Sequence, residues 1–142
     1  MWEFQHSEST TAAPWQLWAR YRDPVTWTEW DDQIEDVTFD GEFRLGAVGT
    51  IKPVGGPRTR FRMTAVTEGV SFTDVTALPL ARMRFDHWIE AGAGTTTFTH
   101  RVSITGPLAP LFARVIGRKV AAGLPGAMRA LAALAERAAV PE

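Results

Sequence analysis

The side chains here with chemistry to offer are three histidines and an aspartate, all placed on strand-like patterns. His6, His87 and His100 each continue an apolar row. Those rows are Trp2-Phe4-His6, Met83-Phe85-His87-Ile89 and Phe98-His100-Val102-Ile104. Residues two apart share a strand face, so each imidazole faces whatever those aromatics and aliphatics face. Asp74 interrupts a fourth row, Phe72, Thr76 and Leu78. An imidazole exchanges protons near neutral pH, and a neighbouring carboxylate would fix its tautomer and raise its basicity. The chain has no cysteine, which excludes thiolate nucleophiles, thiolate metal sites and disulfides.

Turn spacing gives these residues a register. A two-residue turn at Glu68-Gly69 pairs Thr67 with Val70 and sets Met63 opposite Asp74. A four-residue loop over 79–82 pairs Leu78 with Met83 and sets Asp74 opposite His87. Trp88 paired with Thr99 sets His87 opposite His100. The result is a polar row, Asp74–His87–His100, across an apolar face, with His87 as the partner Asp74 needs. A slip of two residues in any hairpin would keep every row on its face. Four uses are open to such a row. It can be a satisfied interior network, or it can orient a ligand's carbonyl or hydroxyl. Asp74 and His87 can work as an acid–base pair. A three-histidine metal site is the poorest fit, because a flat row across strands does not converge on one ion. No metal and no cofactor are expected.

The elements that must hold this row follow from periodicity. Trp2 to Ser9 alternates as a strand. Thr10 or Thr11 is placed to cap a short helix with Pro14 in its first turn. Asp23-Pro24 opens a second short helix, with Trp27 and Trp30 on one side. From Ile34 to Thr105 the chain carries only strand and turn signals, and tight turns favour an antiparallel meander. Arg58, Arg60 and Arg62 take the outward phase, and Trp88 also points outward as a candidate dimer contact. From Leu108 to about Arg137 the period becomes helical, with Leu111, Phe112, Val115, Ile116, Val120, Leu124, Met128, Leu131 and Leu134 recurring at three- and four-residue steps. Pro125 should kink this helix. Gly117, Gly123 and Gly126 remove volume along it, as a cavity or a close packing contact would require.

The bulk numbers bound the rest. A length of 142 residues predicts one domain, 1–142, with a core large enough to need no staple. A net charge of −1, from 15 basic and 16 acidic residues, argues against a nucleic-acid partner. No basic stretch leads into an apolar run at the start, and no apolar stretch is long enough for a membrane span. A cytoplasmic protein, monomer or homodimer, with no stable membrane insertion is expected.

Strand, two short helices, six strands and a long helix is an α+β order, and it resembles the START-like helix-grip (SRPBCC) superfamily. The resemblance is strongest to its bacterial polyketide cyclase/dehydrase and lipid-transport-like branch. It rests on Ala13-Pro14 followed by Trp18, on Trp27-Thr28-Glu29-Trp30, and on Gly46-Ala47-Val48-Gly49. It rests also on Gly94-Thr95-Thr96-Thr97, and on Gly106-Pro107-Leu108-Ala109 through Leu124-Pro125 to Met128 and Leu131. It covers almost the whole chain. It implies a seven-stranded curved antiparallel sheet wrapped around the long C-terminal helix, with a cavity between them for a lipid, polyketide or similar hydrophobic small molecule. It also sets the first strand beside the last, which brings His6 near His100. Such a cavity would be lined by His6, His100, Phe61, Met63, Phe72, Phe85, Trp27, Trp30, Val120 and Leu124. A binding or carrier protein is the first reading. An aromatase/cyclase using His87 and Asp74 for proton transfer is the second, and a protein-interaction module the third. These motifs are structural, and no catalytic signature accompanies them.

Overall fold

The computed structural model describes residues 1–137. Strand β1 (Trp2–Thr10) leads through helix α1 (Pro14–Tyr21) and a 3-10 helix (Pro24–Glu29) into β2 (Ile34–Phe39). Then come β3 (Val48–Pro53), β4 (Thr59–Thr67), β5 (Ser71–Leu78), β6 (Ala81–Ala91) and β7 (Thr96–Thr105). The chain closes with α2 (Ala109–Phe112), a π-helical stretch (Ala113–Gly117) and α3 (Arg118–Arg137). The seven strands form one antiparallel sheet in the order β1-β7-β6-β5-β4-β3-β2, so the first strand does lie beside the last.

Alternation decides the two faces. Phe61, Met63, Phe72, Phe98, Val102 and Ile104 are buried on the inner face, against Trp18, Tyr21 and Trp27 from the short helices and Leu124, Met128 and Leu131 from α3. The outer face carries the arginines. Arg84 and Arg101 both reach Asp86, which also accepts from Thr73 Oγ1 at 2.7 Å. That buried carboxylate is held below its ordinary range by the hydroxyl and the two guanidinium groups, which outweigh its desolvation. Trp88 does point outward, half-buried beneath the Arg101 guanidinium, which stands 5.3 Å from its ring centroid.

One local expectation, the cap of α1, is corrected. Neither threonine caps α1. Ala13 takes the cap position, and its N–H donates to Gln16 Oε1 at 2.6 Å. Thr10 instead accepts from the Ala12 N–H and donates to Glu136 at 2.5 Å, tying the end of β1 to α3. Helix α3 runs through Pro125 without a break, and the helical irregularity falls at Ala113–Gly117. Two of the three glycine gaps are filled: a Cβ at Gly117 would meet the Trp2 ring at 2.9 Å, and one at Gly123 the Gln33 amide at 2.4 Å. These glycines serve close packing; only Gly126 has open space beside it.

Candidate functional site

Two of the three expected pairings across the row hold as drawn. His87 lies opposite His100, and His100 opposite His6. The third does not. Asp74 lies opposite Phe85, and Phe72 takes the place facing His87. The cause is the β5–β6 connection. Leu78 pairs with Ala81 across a two-residue turn, Pro79-Leu80, rather than with Met83 across four. Leu80 takes φ +52° to make this turn, a left-handed conformation normally left to glycine or asparagine. The shift is two residues, so Asp74 stays on the inner face but moves one ladder step along it. Met63 does face Asp74, though by a different route. A three-residue loop pairs Thr67 with Ser71, and a bulge at Thr64 restores the register.

The row is therefore Phe72–His87–His100–His6. The Phe72 and His87 rings stack at 3.9 Å with an interplanar angle of 8°. His87 Nδ1 lies 3.4 Å from the Phe72 carbonyl oxygen, and among the described residues its Nε2 meets no hydrogen-bonding group. Burial pushes the imidazole down from 6.5 to about 4, so it is neutral at pH 7. His100 is held by Tyr21, whose hydroxyl shares a 2.7 Å hydrogen bond with Nε2. Burial lowers the His100 pKa, with its two neighbouring histidines adding to the effect, and burial raises that of Tyr21. His6 sits at the sheet edge, half-buried, 2.5 Å from Glu8 Oε2, and Glu8 lies 3.8 Å from Arg129 of α3.

Asp74 is the unusual member. It is 6% exposed, beside Met63 and Phe85 on the ladder. No hydrogen bond reaches its carboxyl among the described residues. Burial, and secondarily the negative charge of Asp86, lifts its pKa to about 8. At pH 7 the carboxyl is thus mostly protonated, able to donate one hydrogen bond and accept others.

The remaining predicted lining residues divide in two. Trp27 stacks on Phe61 and Phe72 at 5.7 and 5.9 Å, and its Nε1 donates to the Tyr21 carbonyl. Trp30 is buried 6.0 Å from His100. With Trp18 and Tyr21 they fill the His87 end of the concave face. Phe85 on β6 and Val120 on α3 are half-buried, as are Met83, Phe112 and Ile116, while Leu124 is buried. Two surface hollows, of about 240 and 280 Å³, lie elsewhere. One lies between Thr11–Pro14 and the β6–β7 hairpin, the other within the β2–β3 loop, and neither touches a predicted site residue. Among the described residues no group of three or more histidines and carboxylates is placed to hold a metal ion. Tyr21 is the site residue that sequence reading missed as a partner. It is the one tyrosine among six tryptophans and eight phenylalanines, which sets it apart but names no partner.

A curled antiparallel sheet gripping a C-terminal helix, with short helices after the first strand, is the helix-grip architecture. The chain belongs to the polyketide cyclase/dehydrase and lipid transport family, which matches residues 1–138. Among solved structures, it is similar to protein MLL2253 from Mesorhizobium loti, at 17% identity and a TM-score of 0.77, covering 98% of this chain and all of that one. A protein from Arthrobacter aurescens matches at 17% identity and a TM-score of 0.71, with 96% of this chain and 87% of that one covered. The di-domain aromatase/cyclase BexL from the BE-7585A biosynthetic pathway matches at 15% identity and a TM-score of 0.75, over 99% of this chain and 48% of that one. No curated protein matches the chain. No helix among the described residues is long and apolar enough to cross a membrane.

Proposed function

We propose that the chain binds a small hydrophobic molecule carrying one polar group, held on the concave face at its Asp74 end. The observation that carries this reading is Asp74 itself, a buried carboxyl without a protein hydrogen bond, flanked on the ladder by the buried Met63 and the half-buried Phe85. The carboxyl keeps slight solvent contact, since the fully buried unpaired polar atoms among the described residues are Trp18 Nε1, Arg20 Nε and Trp30 Nε1; a ligand covering Asp74 without a hydrogen bond would meet a cost on the order of 2–7 kcal/mol. A ligand carbonyl or hydroxyl supplies the missing partner. Met83, Phe85, Phe112, Ile116 and Val120 supply apolar wall, the usual composition of a small-molecule site. Family membership supports the ligand class.

A second reading has one observation in its favour. Neutral His87 keeps Nε2 free of protein hydrogen bonds on the same face as a protonated carboxyl. That pairing of a base and an acid suits the proton transfers of a polyketide cyclization. Native mass spectrometry on protein purified from its own host tests the binding reading. A retained adduct that organic solvent removes, and that a Met83→Arg variant fails to retain, is the expected result. Absence of any adduct, together with no thermal stabilisation by extracts of the host's lipids, would overturn it. If the enzyme reading holds, His87→Ala lowers turnover of the recovered ligand far more than its affinity; equal loss of both would exclude it.

A further inference from the structure

We propose that the tip formed by the β5–β6 turn and the helical run after Gly106 is a docking surface for an anionic lipid bilayer. Three exposed apolar side chains sit there. Leu80 is 68% exposed, Leu111 50% and Val115 56%. The Leu108 N–H donates to the Leu80 carbonyl at 3.0 Å, which fastens the turn to the start of α2. Leu111 and Val115 stand four residues apart, hence on one side of that helical run.

Leu80 is the informative one. Its φ of +52° sits where glycine or asparagine is the easy choice, and a leucine there is strained by about 1–2 kcal/mol. Burial returns little for that strain, because most of the side chain is exposed. The position thus keeps an apolar side chain at the apex against the preference of its own backbone.

Charge says what the apex meets. Between residues 91 and 135 the chain has no aspartate or glutamate, although its net charge is −1. Arg114, Arg118 and Lys119 follow the exposed leucine on the helical run, and Arg82 lies two residues past Leu80. None of these four cations has a carboxylate within ion-pair distance among the described residues. Apolar side chains within a cationic collar match the boundary between acyl chains and anionic headgroups, where long basic side chains extend to the phosphates. A soluble acidic partner would use the collar but gains little from single exposed leucines.

Sedimentation with phosphatidylcholine vesicles, with and without phosphatidylglycerol, tests this at low and high salt. The chain should partition onto the phosphatidylglycerol vesicles only, and salt should weaken it. The Arg114→Glu/Arg118→Glu variant should bind about tenfold or more weakly. The Leu80→Ser/Leu111→Ser variant should lose about tenfold with its circular dichroism and melting curve intact, since both side chains are exposed. No partitioning onto anionic vesicles at low salt would overturn the proposal. So would binding that charge reversal weakens but the serine pair leaves unchanged, the pattern of a soluble acidic partner. The measurement needs no ligand on the concave face, so its failure leaves the binding reading standing, and the reverse holds.

Discussion

Replacing Asp74 by asparagine keeps the side-chain volume and removes the titrating proton. Burial lifts this carboxyl from 3.8 to about 8. The folded chain then holds more protons than the unfolded chain between those values. The corresponding stability is fully present below pH 3.8 and is lost as the pH rises towards 8. At about 1.4 kcal/mol per pH unit, raising the pH from 3.8 to 7 removes about 4 kcal/mol. That is a large part of the roughly 5–15 kcal/mol that a domain has. The buried histidines act with the opposite sign. His87 falls from 6.5 to about 4, and His100 is lowered as well. Their contribution is present above 6.5 and is lost as the pH falls, for His87 through about 4. Below 6.5 the two histidine slopes oppose the carboxyl slopes of Asp74 and of Asp31, which burial also raises; above 6.5 the histidine slopes are gone and Asp74 carries the fall towards 8.

Wild-type stability should therefore fall above pH 6.5, and Asp74→Asn should turn that fall into a plateau. Urea unfolding followed by tryptophan fluorescence, in half-unit steps between these pH limits, reads this directly. The variant's advantage should grow by about 2–3 kcal/mol between pH 6 and 8. A wild-type curve that is flat over that interval would refute the argument. Equal destabilisation of the variant at pH 5 and pH 8 would refute it too. Either result means that Asp74 is ionised and paired in the folded chain.

Leu80→Gly should raise the melting temperature, because relief of about 1–2 kcal/mol of left-handed strain exceeds glycine's entropic cost of about 0.5–1 kcal/mol; the same variant should bind anionic vesicles less well. Tyr21→Phe leaves the buried Nε2 of His100 without its partner and should cost about 1–3 kcal/mol in urea unfolding. Gly123→Ala pushes the Gln33 amide from its bond to the Lys119 carbonyl and should cost about 1 kcal/mol. In a Gln33→Ala background the same change should be neutral or stabilising, as expected for alanine replacing glycine inside a helix. Additive effects in that double variant would show that Gln33 is not what Gly123 accommodates.

The faces of this sheet were legible because burial imposes a period of two, and no plausible slip disturbs that period. Every histidine accordingly lies on the concave side where its row put it. Partners along the ladder depend instead on turn length, and turn length depends on backbone conformations that residue identity only biases. At Pro79-Leu80 the sequence offers a proline suited to the first central position of a tight turn and a leucine unsuited to the second. A reading by preference avoids the left-handed leucine, lengthens the loop and gives Asp74 an imidazole neighbour it does not have. The strained residue is thus the same one that hides the carboxyl's isolation. At Glu68-Gly69 two departures, a longer loop and a bulge at Thr64, cancel, so Met63 faces Asp74 despite the wrong turn. Gly117 and Gly123 were legible as missing volume, but not as volume filled by Trp2 and Gln33, which come from elements far off in the chain. What occupies a gap is a tertiary fact. For the same reason, the Tyr21–His100 bond, spanning 79 residues, could not be read from either residue's surroundings in sequence. The concave face was therefore readable as a place, while its protonation states follow only from who stands beside whom. Asp74 without His87 is a neutral donor awaiting an acceptor; with His87 it would have been half of an ion pair.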